Sequence, residues 1–286
     1  MPGLRREEIV GGPVTLKMAV QMMRIGDWIR FYPAFPLAGA CLSGCHFTRT
    51  ALVLALYIIM IGYAFAVNNY FDAEIDQNHK GKHNSGKNPL AMGWISLRDA
   101  RRVLEGLIIV SLIMMMAIGW MAGGWQGPAL ALLNLLLLTA YSGGPRLKEI
   151  PGADLTAHGL MFGALPVACG FYLGGGSASW LLVLASSVAF LLGAEALVAH
   201  QMVDFREDFC STKTTVVSIG QARGGVLLAF LAFSSAALVA AAAWSALIPL
   251  HYAWPLIAYL LSYPVFSVRK VRDELRQDIR DPAIPQ

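Results

Sequence analysis

Two short runs of the chain hold most of the residues able to do chemistry. The first is Asn68-Asn69-Tyr70-Phe71-Asp72-Ala73-Glu74-Ile75-Asp76. On a helix, Asn68, Asp72 and Asp76 stand one turn apart and line one face. The second is His200-Gln201-Met202-Val203-Asp204-Phe205-Arg206-Glu207-Asp208, in which His200, Asp204 and Asp208 repeat that spacing. Four carboxylates gathered at low dielectric repel strongly and need a compensating cation. Oxygen donors, with no Cys and with His only at the margin, suit Mg2+. Such an ion takes one or two protein carboxylates and completes its shell with water and phosphate oxygens. One acidic cluster alone reads as solvated helix caps. Two of them, at equivalent places in the chain, point to a joint site. His200 is a candidate proton acceptor by position, with helix-end packing an equal reading. Glu195 lies about two and a half turns before Asp204, on roughly the opposite face. It reads either as a packing partner or as a contact to a second reactant.

Basic residues follow or face these acids: Lys87, Arg146, Lys148, Arg206 and Lys213. A diphosphate leaving group needs Lys or Arg as well as metal, because its negative charge grows as it departs. The bias of Lys and Arg toward cytoplasmic loops accounts for most of these residues. Lys148 and Lys213 are the preferred exceptions, since each sits among polar, turn-forming residues.

The elements that must position these groups are membrane helices. Of 286 residues, 56% are hydrophobic and 14% charged, against about 25% charged in a soluble domain. A soluble protein this apolar would expose large greasy patches. That excludes a secreted disulfide scaffold, a disordered chain, a coiled coil and a DNA-binding domain, and the net charge of +4 is no nucleic-acid footprint. Cys41, Cys45, Cys169 and Cys210 form no CxxC pair, and the polar start MPGLRREEIVGG does not read as a signal peptide.

Eight apolar runs approach the length of a span, near residues 27–45, 50–70, 103–122, 128–142, 155–175, 179–202, 224–247 and 249–268. Lys and Arg crowd alternate connections, and the opposite ones hold only Arg49. This puts both termini and the acidic runs on the cytoplasmic side. The expected fold is an all-α polytopic membrane bundle of about eight transmembrane helices around a central cavity. Two four-helix pseudo-repeats, about 14–142 and 150–270, form one membrane-embedded domain of residues 1–286, with a charged cytoplasmic tail at 269–286.

The motifs resemble those of the UbiA superfamily of intramembrane prenyltransferases. Asn68-x3-Asp72-x3-Asp76 is similar to its first aspartate-rich motif. Asp204-x3-Asp208, followed by Lys213, Thr215 and Ile219-Gly220, is similar to the second. Tyr141-Ser142 with Pro145-Arg146-Leu147-Lys148 resembles the tyrosine–lysine loop between helices four and five. Lys87-Asn88-Pro89-Leu90 with Gly93-Trp94-Ile95-Ser96 resembles a further segment. The four motifs occur in order over about residues 20–270. The departures are Asn69 where many members have Asp, Thr212 where many have Gly, and a tail too charged to supply the ninth helix that members usually have.

The resemblance implies an enzyme that moves a prenyl group from a prenyl diphosphate to a hydrophobic acceptor in the membrane, such as a lipid, quinone precursor, carotenoid or chlorin. It implies two Mg2+ ions held by Asn68, Asp72, Asp76, Asp204 and Asp208. Diphosphate contacts would come from Asn68, Lys148, Lys213, Arg146, Arg30 and Lys87, with Tyr141 near the reacting carbon. The reaction expected is ionisation to an allylic carbocation in a dry pocket, where aromatic faces stabilise the charge. Phe65, Tyr70, Phe71, Tyr141, Phe162, Phe171 and Tyr172 are candidates for that lining, although core or lipid-facing packing explains any one of them. The partners expected are the two substrates and membrane lipids, with no nucleic acid. A terpene cyclase of the same superfamily is the alternative. A secondary transporter fits less well, because it needs polar groups near the midplane.

Overall fold

The structure, a computed structural model, describes residues 15–78, 88–209 and 212–280. Among them the regular elements are helices. In chain order the main ones are α1 (Leu16–Met22), α2 (Ala34–Leu42), α3 (Phe47–Asn78), α4 (Leu97–Ala122), α5 (Gln126–Ser142), α6 (Ala153–Leu173), α7 (Trp180–Val203), α8 (Thr215–Ile219), α9 (Gln221–Trp244) and α10 (Leu250–Arg280).

Local chemistry sets several of the boundaries. Ser96 caps α4 by accepting from the Asp99 N–H at 3.1 Å, and Ser179 caps α7 through the Leu182 N–H at 3.2 Å. Gly123, at φ 72°, closes α4 in the left-handed conformation that a side chain disfavours. Five helices (α3, α4, α6, α7 and α9) are long and apolar enough to cross a membrane. The other three expected spans are helical but depart from that pattern. Residues 27–45 do not form one rod. A four-residue helix, Ile25–Trp28, is followed by a turn and then by α2, of nine residues. Pro33 fixes its own φ and restricts the residue before it, which interrupts the helix there. α5 has 17 residues, and α10 contains Pro255 and Pro264.

The chain divides into two compact units. The first holds α1–α5 and Pro166–Ser177, and the second holds Leu147–Leu165 and the helices from α7 onward. In the first unit α3 packs on α2, α4 and α5. Its core includes Leu56, Tyr57, Met60, Met115, Ile118 and Leu138. α2 and the Pro166–Ser177 segment touch backbone to backbone. A Cβ at Gly39 would run into the Val167 carbonyl, and one at Gly170 into the Pro36 carbonyl, so small residues set this contact. In the second unit α7 packs on α9, α8, α10 and the first half of α6. There Gly163 admits the Ala189 carbonyl in the same way.

α6 contains a π-helical turn, Leu160–Ala164, where the Leu165 N–H bonds the Leu160 carbonyl. Pro166 follows at once and has no N–H to continue the ladder, which accounts for the irregular turn. Exposed Trp120, Trp125, Trp180 and Trp244 stand at the helix ends that meet the connections poor in Lys and Arg. Trp favours the membrane–water interface, so each unit carries an aromatic belt there. Arg49, the one basic residue expected on those connections, donates from Nη1 to Gly174 O and from Nη2 to Met121 O, both at 2.9 Å. It thereby caps two helix C-termini with a cation.

Arg49→Ala is expected to destabilise the protein by about 1–3 kcal/mol through lost charged hydrogen bonds, seen as a lower thermal midpoint in detergent, with Arg49→Lys recovering part of it. Gly39→Val is expected to prevent accumulation of folded protein, measured as monodisperse yield after extraction.

Candidate active site

The first acidic run does not end with the apolar span. α3 continues through it to Asn78, so Asn68, Asp72 and Asp76 stand one turn apart on a single helix. Each is engaged by a neighbour from another segment. Ser142, the last residue of α5, donates to Asn68 Oδ1 at 3.0 Å. Arg146 Nη2 donates to Asp72 Oδ1 at 3.2 Å. Asn88 Nδ2 donates to Asp76 Oδ2 and to the Asn69 carbonyl, both at 2.9 Å. Asp76 and Asn88 are both buried. Asn69 turns the other way and donates to the Met22 carbonyl at 3.1 Å, which ties α1 to α3.

Arg146 makes its contact from a left-handed backbone, at φ 49°. A non-glycine residue there carries strain of order 1–3 kcal/mol and persists only where the surroundings hold it. The Gly143-Gly144-Pro145 turn supplies that setting, with the Arg146 N–H bonded to Gly143 O at 3.1 Å. Arg24 is the second arginine at φ 49°. Its guanidinium pairs with Asp27 at 2.6 Å and lies 5.4 Å over the Phe65 ring, one turn before Asn68 and Asn69. Trp28 stacks on the same ring at 6.2 Å. Arg30 is exposed on the turn before α2, and Tyr141 is half-buried in the last turn of α5. Lys87 lies outside the described residues.

The second run, in the other unit, is less regular. α7 ends at Val203, and a short helix restarts at Phe205–Asp208, with Asp204 at the junction. The bonds from Asp204 N to His200 O (3.0 Å) and from Asp208 N to Asp204 O (2.9 Å) preserve the one-turn spacing across the break. His200 Nε2 lies 3.3 Å from Asp204 Oδ2. Both acids are half-buried, Lys148 is half-buried and Lys213 is exposed.

Asp154, which the sequence presents as an ordinary acid in the first turn of a helix, is fully buried. It accepts from Gln201 Nε2 at 2.7 Å and from the Thr215 N–H at 2.8 Å. The Thr215 hydroxyl also donates to it. The sequence signal for this network is slight: a Gly-Ala-Asp turn and a Gln beside the second motif. Glu195 is also fully buried, and neither carboxylate oxygen has a hydrogen-bond partner. Of the aromatic candidates, Phe162 and Phe171 are buried, Phe65, Tyr70 and Tyr172 are half-buried, and Phe71 is exposed. Cys41, Cys45 and Cys169 are free thiols.

The model of the UbiA prenyltransferase family matches residues 32–280. The chain belongs to that family. It is accordingly a prenyltransferase and an integral membrane protein. It is 26% identical over 253 residues to a digeranylgeranylglyceryl phosphate synthase of Ignicoccus hospitalis, covering 85% of this chain and 76% of that one. It is 28% identical over 229 residues to a 4-hydroxybenzoate octaprenyltransferase of Paracidovorax citrulli, covering 77% and 70%. Its fold matches a UbiA homolog from Archaeoglobus fulgidus bound to DMAPP and Mg2+, with a TM-score of 0.73, 20% identity and coverage of 88% and 86%.

Among the described residues, no three His, Cys, Asp or Glu side chains gather closely enough to hold a metal unaided. The donors on α3 are one amide and two carboxylates. That oxygen set suits a hard ion which keeps few protein ligands and draws the rest of its shell from a phosphorylated substrate.

Asn88→Leu removes a donor from the buried Asp76. A cost of about 1–3 kcal/mol is expected, read as an unfolding midpoint below that of the wild type.

Proposed function

We propose that this prenyltransferase moves an allylic prenyl group from its diphosphate to an electron-rich atom of a lipophilic acceptor within the bilayer, with release of diphosphate. The observation that carries the reading is the array on α3, where Asn68, Asp72 and Asp76 are engaged by Ser142, Arg146 and Asn88 at the cytoplasmic end assigned by the charge pattern. The names of the Ignicoccus and Paracidovorax relatives support prenyl transfer to a lipophilic acceptor. The DMAPP and Mg2+ bound to the Archaeoglobus homolog support the donor class and the metal.

In this reading Asn68, Asp72 and Asp76 of the first unit, and Asp204 and Asp208 of the second, would hold Mg2+, two ions in all. Those acids would thereby supply, through the ion, charge neutralisation for the departing diphosphate. Arg146 keeps Asp72 aimed through a charge-assisted bond. Lys148 and Lys213 bind diphosphate oxygens and hold them through departure. Tyr141 presents its ring to the allylic carbon, where a π face stabilises positive charge.

The test is incubation of membranes containing the protein with labelled prenyl diphosphates of several lengths, Mg2+ and a panel of lipid, quinone-precursor and pigment acceptors. A labelled adduct, lost on chelation with EDTA and restored by Mg2+, is expected. Asp72→Asn and Asp208→Asn should each lower turnover at least about a hundredfold, equivalent to roughly 2.7 kcal/mol of lost transition-state stabilisation, while the detergent-extracted protein stays monodisperse. A labelled hydrocarbon formed without any acceptor would replace transfer by cyclisation.

A further inference from the structure

Two lysine-bearing segments of the second unit are joined by one buried carboxylate. Asp154 stands six residues after Lys148 and is fully buried. An acid in the first turn of a helix ordinarily faces water and the helix dipole. This one faces inward and is saturated by donors from three segments. Gln201 Nε2 donates at 2.7 Å from the last turn of α7, three residues before Asp204. The Thr215 N–H donates at 2.8 Å, and the Thr215 hydroxyl donates as well, from the start of α8, two residues after Lys213. The Leu155 N–H donates at 2.7 Å. Two further bonds close the network. Gly152 N–H donates to Thr215 Oγ1 at 2.7 Å, and Val216 N–H donates to Gln201 Oε1 at 3.1 Å. A desolvated carboxylate meets all these demands in one arrangement of the three segments, because each missing donor leaves a buried charge under-solvated.

We propose that Asp154 is a positioning residue for diphosphate binding. Its clasp with Gln201 and Thr215 fixes the Lys148 segment and the Lys213 segment relative to Asp204. The inference rests on the prenyl diphosphate reading above, since that reading makes Lys148 and Lys213 the phosphate-binding cations. Nothing in the clasp touches substrate. It acts by holding the two lysine backbones in one register, and a shift of about 1 Å at such groups is enough to weaken binding severalfold or more.

Asp154→Asn keeps the shape of the side chain but replaces one acceptor by an NH2 that confronts the Gln201 or Thr215 donors. The expected result is a KM for prenyl diphosphate raised about tenfold, with the KM for acceptor little changed and the thermal midpoint lowered, because buried donors lose their acceptor. Thr215→Val should repeat the effect, and Thr215→Ser, which retains the hydroxyl, should rescue it. Calorimetry with inorganic pyrophosphate and Mg2+ on the same detergent-solubilised proteins gives a readout that needs no turnover, and about tenfold weaker binding is expected for Asp154→Asn. A wild type that binds pyrophosphate but transfers no prenyl group would sink the prenyl-transfer reading, while the comparison between variants would still judge the clasp. The proposal is overturned if Asp154→Asn binds both ligands as the wild type does, if the wild type binds no pyrophosphate, or if donor KM and acceptor KM rise to the same extent.

Discussion

A carboxylate beside lipid is stabilised where water, donors or cations surround it, and this constraint organises the two acid motifs. The acids of both motifs lie where an apolar helix leads into a connection rich in Lys and Arg. Asp72 meets Arg146, Asp76 meets Asn88, and Asp204 meets His200. The opposite helix ends carry exposed tryptophans and one arginine, and that arginine is consumed in capping backbone carbonyls. Among the described residues the acids of the two motifs therefore lie at one end of the helices in each unit, and Glu195, buried within α7, is the exception.

Holding such groups steady is a backbone problem as much as a side-chain one. In the first unit Gly39 and Gly170 let two segments meet at main-chain distance. Helix association in lipid gains little from the hydrophobic effect, so close contact of this kind has to supply cohesion. At the α5 end, Arg146 adopts a left-handed backbone to reach Asp72, a local cost offset by a charge-assisted bond at the acid motif. The break in α7 at Asp204 and the π turn in α6 are the corresponding irregularities of the second unit. In both cases a regular helix would have aimed the following residues differently.

Much of this was legible in the residue pattern. The 3.6-residue period placed Asn68, Asp72 and Asp76 on one face, and α3 bears that out because a long uninterrupted helix obeys its period. Composition alone required a helical membrane protein. The eight-run count was less secure, since 27–45 holds prolines whose effect is to split the rod, a local rule outweighed by overall hydrophobicity when spans are sought. Arg24, and not the exposed Arg30 named as a diphosphate contact, lies over Phe65 of α3, because spacing in an irregular segment does not say which guanidinium turns toward that helix.

The sequence by itself determined the medium, the helical class, the family and the two acid runs, because each of these is written in local composition and period. Tertiary structure decided the partners. Asn88 reaches Asp76 from 12 residues away, Arg146 reaches Asp72 from 74, and Thr215 reaches Asp154 from 61. No periodicity links positions so far apart. Whether an acid in a first turn faces water or becomes the buried centre of a clasp depends on which segments pack over it, and only the folded chain brings those segments together.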